Sequence, residues 1–368
     1  MNQFFVGLMS GTSADGIDAA LVEFTPAPRL RAHHFLIYES ALRERILQLA
    51  AGDAAGDAID ATGELDTELG TWFARAANEL LQKADIPLAQ IRAIGSHGQT
   101  IRHRPNGKHP FSWQIADPNV IAARTGISVV ADFRRRDLAL GGQGAPLVPA
   151  FHRAVFSDPH ESRVVVNIGG IANVTLLPAE QGRVTGFDTG PGNVLLDAWS
   201  SSQLKQPHDI DGAFAATGRV DAGLLHALLA DDYFSLPPPK STGREHFNAS
   251  WLERHLQHTR IAAQDVMATL VELTAQSILD PILHHAVHTE RVLICGGGAH
   301  NLYLMQRLAS LFGESRVEST ERHGIHPDWV EAMAFAWLAH ETLAGRPGNL
   351  PEVTGASRAA ILGAIYPA

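Results

Sequence analysis

The sequence is poor in cysteine. Cys295 is the single thiol in 368 residues, so no disulfide can form within the chain, and a reducing, cytoplasmic setting is expected. Positive charge is also short. Lys and Arg number 29 against 39 Asp and Glu, giving a net charge of -10 and a pI of about 6.0. A chain of this balance lacks the basic surface of a nonspecific nucleic-acid binder, so no nucleic-acid partner is expected. Long apolar runs are missing too. Phe4 to Met9 is too short for a leader and is followed by no cleavage pattern, and no uninterrupted run reaches the length of a membrane span, so no membrane partner is expected.

What is present is 45% hydrophobic residues, enough for a globular core, on a chain longer than one core commonly organises. Two domains follow as the expectation. The opening reads as strand, tight turn, strand: Phe4 to Met9, then Ser10 to Asp18, then Ala19 to Phe24. The amides and hydroxyls of Gly11, Thr12 and Ser13 can cradle phosphate oxygens, and Asp15 and Asp18 can orient a hydrated magnesium ion. A plain hairpin turn with solvated acidic residues has the same composition.

Further on, Leu65, Leu69, Trp72, Phe73, Ala76 and Leu80 share one helical face. Ile91 to Ile94 reads as a strand running into a loop, Gly95 to Thr100. Its neutral hydrogen-bonders His97, Gln99 and Thr100 suit sugar hydroxyls or amides, or else cap their own loop. Asp117 before Pro118 reads as a helix N-cap. Arg134, Arg135 and Arg136 follow a strand and read as a loop. One or two of them can reach an anion, or can pair with Asp132 and Asp137 in solvent. Leu140 to Pro146 is a glycine-rich crossing, taken as the domain connection.

The second half repeats the grammar of the first. Arg163 to Ile168 is a strand, Gly169 to Asn173 a tight turn and Val174 to Leu177 the return, an echo of the N-terminal hairpin. Asp188 is expected to end a short strand before a glycine turn, where its carboxylate can take a proton from a hydroxyl or from water, or else cap the helix from Val194 to Trp199. Asn193 suits the start of the next helix. Lys205 to Gly218 reads as a mobile polar stretch, and Ser235 to Glu245 as a proline-stiffened surface loop. Asp265 to Val287 is helical with a break expected at Pro281. Gly296 to Asn301 forms a third glycine cluster, against which a flat purine can lie, and Asp328 to Leu343 is a helix containing Glu331.

Five stretches taken together, Gly7–Asp18, Gly95–Thr100, Val166–Asn173, Gly186–Asn193 and Cys295–Asn301, resemble the anhydro-N-acetylmuramic acid kinase family across nearly the whole chain and in the same order. The resemblance implies an α/β, two-domain fold of the actin, Hsp70 and hexokinase kind (ribonuclease H-like) with a nucleotide cleft between the domains. The limits implied are 1–145 with 346–368 for one domain and 146–345 for the other. It implies an ATP- and Mg2+-dependent phosphotransferase that opens a 1,6-anhydro ring with water and phosphorylates O6, giving N-acetylmuramic acid 6-phosphate in peptidoglycan recycling. Asp188 matches the catalytic base. Gly11, Thr12, Ser13, Ala14, Asp15, Gly16, Ile17 and Asp18, with Gly169, Gly170, Asn173, Gly297 and Gly298, are implied for ATP. His97, Gln99, Thr100, Arg134, Asn193 and Glu331 are implied for the sugar, and Asp15 and Asp18 for magnesium through water. A cytoplasmic homodimer is what the family suggests. The rival readings are a kinase of an ordinary sugar hydroxyl and a nonenzymatic, actin- or chaperone-like ATPase.

Overall fold

The computed structural model describes residues 4–25, 27–53, 56–179, 182–238, 240–257, 259–286, 288–313 and 316–368. In chain order the strands are β1 (Phe4–Ser10), β2 (Gly16–Phe24), β3 (Pro28–Ile37), β4 (Ile91–Arg104), β5 (Phe111–Ile115), β6 (Val129–Ala131), β7 (Arg163–Ile168), β8 (Ile171–Leu177), β9 (Thr185–Pro191), β10 (Arg291–Cys295), β11 (Val317–Ser319) and β12 (Ala364–Tyr366). They form two sheets in two compact units. One unit is Met1–Phe151 with Trp329–Ala368, and the other is His152–Asp328.

In the first unit the sheet runs β12-β6-β4-β1-β2-β3, with β5 paired to β4. β1 is antiparallel to β2 and parallel to β4. Every residue of β1 is buried, as a central strand covered on both faces requires. Phe4, Val6 and Leu8 join the cluster of Leu65, Leu69, Phe73 and Leu80 from the helix Ala58–Ala84. The opposite face meets the helix Val330–Leu343. A Cβ on Gly7 would lie 1.8 Å from the Ala332 carbonyl oxygen, and one on Gly95 would lie 2.0 Å from that of Phe335. Glycine at both positions lets the helix backbone lie directly on β1 and β4. This contact carries residues 329–345 into the first unit, so the units divide at 151/152 and 328/329, where the sequence suggested 145/146 and 345/346.

Two expected loops differ in the structure. Gly95 to Thr100 lies inside β4, because β5 folds back and pairs Gln99 with Ile115 and Thr100 with Gln114. The arginine run sits on a short helix, Phe133–Ala139, whose buried Phe133 and Leu138 anchor it to the core.

The second sheet runs β11-β10-β7-β8-β9, which is the order β6-β4-β1-β2-β3 over again. The senses of pairing match as well: β7·β8 and β8·β9 are antiparallel, and β10 is parallel to β7 and to β11. The duplicated hairpin is thus one part of a duplicated five-strand topology, α/β and ribonuclease H-like in each unit. The helix Ala263–His285 buries Val266, Leu270, Leu273 and Ile278. Pro281 lies inside it and does not end it. Proline removes one hydrogen bond of the ladder, while the buried Ile278 and Ile282 keep the last turns seated. Val287, the expected end, lies outside the described residues. Among the described residues this is the one helix long and apolar enough to cross a membrane, and most of it is buried in the core of the unit.

Candidate functional site

The first unit brings the hairpin turn and β4 together. Ser10 Oγ lies 2.6 Å from Gln99 Oε1 and 2.8 Å from the Gly16 carbonyl, and it accepts from the Tyr38 hydroxyl at 3.2 Å. Gln99 Nε2 donates to the Gly11 carbonyl at 3.1 Å. Gln99 is buried, and its amide is committed to fixing the turn. Burial drives the Tyr38 hydroxyl far above its ordinary pKa, the Ser10 hydrogen bond opposes this, and the charge of Asp18 adds to it, so the phenol stays protonated. Tyr38 was missed in the sequence, where nothing marks it out, and Ser10 was read only as the start of the turn, with no role of its own.

The turn sorts its own residues. Gly11, Thr12 and Ser13 retain exposure, and a Cβ on Gly11 would meet only Ser13 Oγ, at 3.8 Å. Ala14 and Ile17 are fully buried, leaving backbone groups alone for a ligand. Gly16 serves packing, since a Cβ there would lie 2.4 Å from the Leu36 carbonyl oxygen. Asp15 is exposed and pairs with Arg43 at 3.2 Å, while Asp18 is half-buried on β2. No three acidic, histidine or cysteine side chains converge among the described residues. That donor set fits magnesium, which keeps several waters and takes one or two carboxylates with phosphate oxygens, and does not fit an ion caged by protein alone.

Deeper in the same unit Arg134 reaches His97. Its Nη2 and Nε lie 2.8 and 3.2 Å from His97 Nε2, and its Nη1 donates to the Gly144 carbonyl at 2.8 Å. Burial, then the charge of Arg134, hold His97 well below its usual pKa, so the ring is neutral. Burial lowers Arg134 to about 10, while Glu331 and Asp137 support its charge. Burial likewise raises Glu331, against the pull of Arg134. Thr100 accepts from Gln114 Nε2 at 3.0 Å. Arg135 pairs with Asp132 at 3.4 Å. Asp137 is fully buried and accepts from the Gly144 amide, Asn349 and Thr354, holding the glycine-rich crossing against the C-terminal segment.

In the second unit, Asp188 lies in mid-β9, where a strand end was expected. Its Oδ2 accepts from the Thr242 amide at 3.1 Å, its own amide donates to the Lys240 carbonyl at 3.1 Å, and its carbonyl accepts from the Tyr233 hydroxyl at 2.7 Å. Desolvation raises its pKa to about 6. The Thr242 hydrogen bond opposes this and the charge of Glu245 adds to it. Asn173 is the cross-strand partner of Asp188 on β8, apart from the glycine turn.

That turn is built by the next helix, Val194–Gln203. The amides of Asn193 and Val194 donate to the carbonyls of Gly169 and Gly170, at 2.8 and 3.0 Å. Asn193 Nδ2 donates to the Ile168 carbonyl at 3.1 Å and does not cap its helix. Gly298 is a packing glycine, since a Cβ there would lie 2.3 Å from Ile168 Cγ2. Gly297 is open except for Asn193 Nδ2, at 3.7 Å.

Gly297 and Asn193 line a cavity of about 390 Å³, together with Asp197, His208, Asp209 and His300. The expected mobile stretch 205–218 forms part of its wall and is well fixed, because Asp209 accepts from the amides of Phe214 and Ala215, both at 2.9 Å. Asn193, expected with the sugar contacts, therefore stands among the glycine turns, while His97, Gln99, Thr100, Arg134 and Glu331 belong to the first unit.

A family model described as anhydro-N-acetylmuramic acid kinase matches residues 3–368. The chain belongs to the anhydro-N-acetylmuramic acid kinase family. It is 56% identical over 368 residues to the anhydro-N-acetylmuramic acid kinase of Xanthomonas axonopodis pv. citri, covering 99% of this chain and 98% of that one. It is 53% identical over 363 residues to that of Coxiella burnetii strain Dugway, covering 98% and 97%. Among solved structures it overlaps component A of (R)-2-hydroxyglutaryl-CoA dehydratase from Acidaminococcus fermentans, with a TM-score of 0.48, 12% identity and coverage of 93% and 99%. Membership of the anhydro-N-acetylmuramic acid kinase family makes the chain an ATP-using phosphotransferase with small-molecule substrates.

Proposed function

We propose that this chain transfers the γ-phosphoryl group of ATP to 1,6-anhydro-N-acetylmuramic acid while water opens the anhydro ring, giving N-acetylmuramic acid 6-phosphate in peptidoglycan recycling. The observation that carries the reading is Asp188, a carboxylate with a pKa of about 6 held by the Thr242 amide. A base tuned to that range is ionised at neutral pH and still takes a proton well. Asp188 accepts a proton from water as the water oxygen bonds to C1. The C1–O6 bond breaks, and O6 attacks the γ-phosphorus as ADP leaves.

In this reading Gly11–Asp18, Gly169, Gly170, Asn173, Gly297 and Gly298 take the nucleotide, with its adenosine in the cavity beside Gly297. His97, Gln99, Thr100, Arg134 and Glu331 take the sugar, some of them by holding their neighbours in place. Asn193 moves from the sugar to the nucleotide. Asp18, with Asp15, would hold a hydrated magnesium ion, which when bound supplies charge neutralisation for the transferred phosphoryl group. The single cysteine and the acidic balance support a cytoplasmic enzyme without nucleic-acid or membrane partners, and the family supports a homodimer.

Turnover in oxygen-18 water tests the reading. Label at C1 of a 6-phosphorylated product is the expected result. An unlabelled C1 would instead mark a kinase of an ordinary hydroxyl, and ATP hydrolysis without any sugar product would mark the nonenzymatic class.

A further inference from the structure

The segment that holds Asp188 has a second feature. Lys240 and Thr242 flank Asp188 through backbone hydrogen bonds, and Arg244 follows two residues later. The side chain of Lys240 is occupied. Its Nζ lies over the Tyr233 ring at 4.7 Å and donates to the carbonyls of Tyr233 and Phe234. Arg244 is different. It is exposed, and its guanidinium has no carboxylate or other hydrogen-bond acceptor among the described residues. It nevertheless has a defined place, over the glycine turn between β7 and β8. A Cβ on Gly170 would lie 3.6 Å from Arg244 Nη2 and 3.8 Å from Nε, and would meet no other atom within 4 Å. A Cβ on Gly169 would meet only the Ile171 carbonyl oxygen, at 3.6 Å. An atom placed on this bare turn would touch an unpaired guanidinium, so a single phosphoryl oxygen there lies within reach of its donors. The planar fork of arginine suits the oxygens of a phosphoryl group.

We propose that Arg244 is a catalytic residue that contacts the γ-phosphoryl group of ATP at the Gly169–Gly170 turn and stabilises its charge during transfer. The inference rests on the reading of the chain as an ATP-dependent sugar kinase with Asp188 as base. It makes the 240–245 segment a single device that presents a backbone amide to the base and a cation to the phosphate.

The test is steady-state kinetics of Arg244→Ala and Arg244→Lys with ATP and anhydro-N-acetylmuramic acid, alongside wild type and with melting curves for each. Removing one such charge-stabilising donor should lower kcat by about 100-fold or more, with both KM values within about five-fold. Arg244→Lys, which keeps the charge without the fork, should fall between. Added guanidinium chloride should restore part of the rate of Arg244→Ala and leave wild type unimproved, a rescue that a merely structural role would not give. Wild-type turnover beside an unimpaired Arg244→Ala overturns this inference alone. A loss confined to the KM of the sugar also overturns it, because the cation would then serve the lactyl carboxylate. A wild type that transfers no phosphoryl group overturns the functional reading, and this inference with it.

Discussion

Arg134 points two nitrogens at one acceptor, Nε2 of His97, at 2.8 and 3.2 Å. The ring therefore carries its proton on Nδ1 and cannot turn without breaking both contacts. Its other face packs on Phe335, with centroids 4.6 Å apart. In Arg134→Lys the single ammonium cannot reproduce the fork, and in His97→Ala the buried guanidinium keeps only the Gly144 carbonyl as a hydrogen-bond acceptor. A hydrogen bond to a charged group contributes about 1.5–3 kcal/mol, so either change should raise the sugar KM by about 10- to 100-fold. ATP affinity, measured by calorimetry, should stay within a few-fold. An unchanged sugar KM would remove this pair from the sugar site.

The rate should have an acid limb set by Asp188. A base works ionised, and desolvation has moved its carboxyl from the ordinary range up to about 6, so kcat/KM should fall as the pH drops through about 6. The charge of Glu245 contributes to the rise. Glu245→Gln should therefore move the limb to lower pH. A limb that moves up, or a profile flat down to pH 5, would refute the assignment.

Asp188→Asn should abolish turnover and at the same time firm the fold at neutral pH. An aspartate with a pKa near 3.8 unfolded and about 6 folded is disfavoured as an ion in the folded state. That cost is absent below the unfolded pKa and fully present above the folded one. A rise of this size corresponds to about 2–3 kcal/mol. Asparagine keeps an acceptor for the Thr242 amide, so the variant should melt a few degrees above wild type at pH 8 and near it at pH 4. Equal melting at pH 8 would show that the carboxylate is not strained by its setting.

Gly7→Ala and Gly95→Ala should each prevent the helix Val330–Leu343 from seating, because the added methyl overlaps its backbone. A loss of more than about 3 kcal/mol is expected, read as insoluble expression or a collapsed denaturation midpoint. Gly63→Ala is the matched control. It lies exposed in the helix Ala58–Ala84 with nothing near its Cβ, and should gain about 0.5–1 kcal/mol.

Local pattern carried much of this architecture. The buried run of β1, the duplicate at β7, the helical face of Leu65 to Leu80 and the Asp117 cap, which accepts from the Asn119 amide at 2.8 Å, all depend on neighbours a few residues apart. The departures arise from partners far along the chain. Gly95–Thr100 is strand because β5 returns to it, and residues 205–218 are fixed by the Asp209 carboxylate. Asp188 sits in mid-strand because β8 pairs on both sides of it, with a bulge at Thr189. The place of Arg244 over Gly170 joins residues more than seventy positions apart, and proline content alone marked that stretch as mere surface; Pro239 itself lies outside the described residues.

The helix Val330–Leu343 also has a bearing on synthesis. β1 and β4 leave the ribosome before residues 152–328, yet the backbone that covers them is made only after those residues, and β12 follows it. Residues 152–328, by contrast, form an uninterrupted stretch with its own sheet and core. Residues 152–328 of a nascent chain can therefore reach their final form first, while β1 and β4 wait, with one face of their sheet bare, for residues 329–345 to arrive.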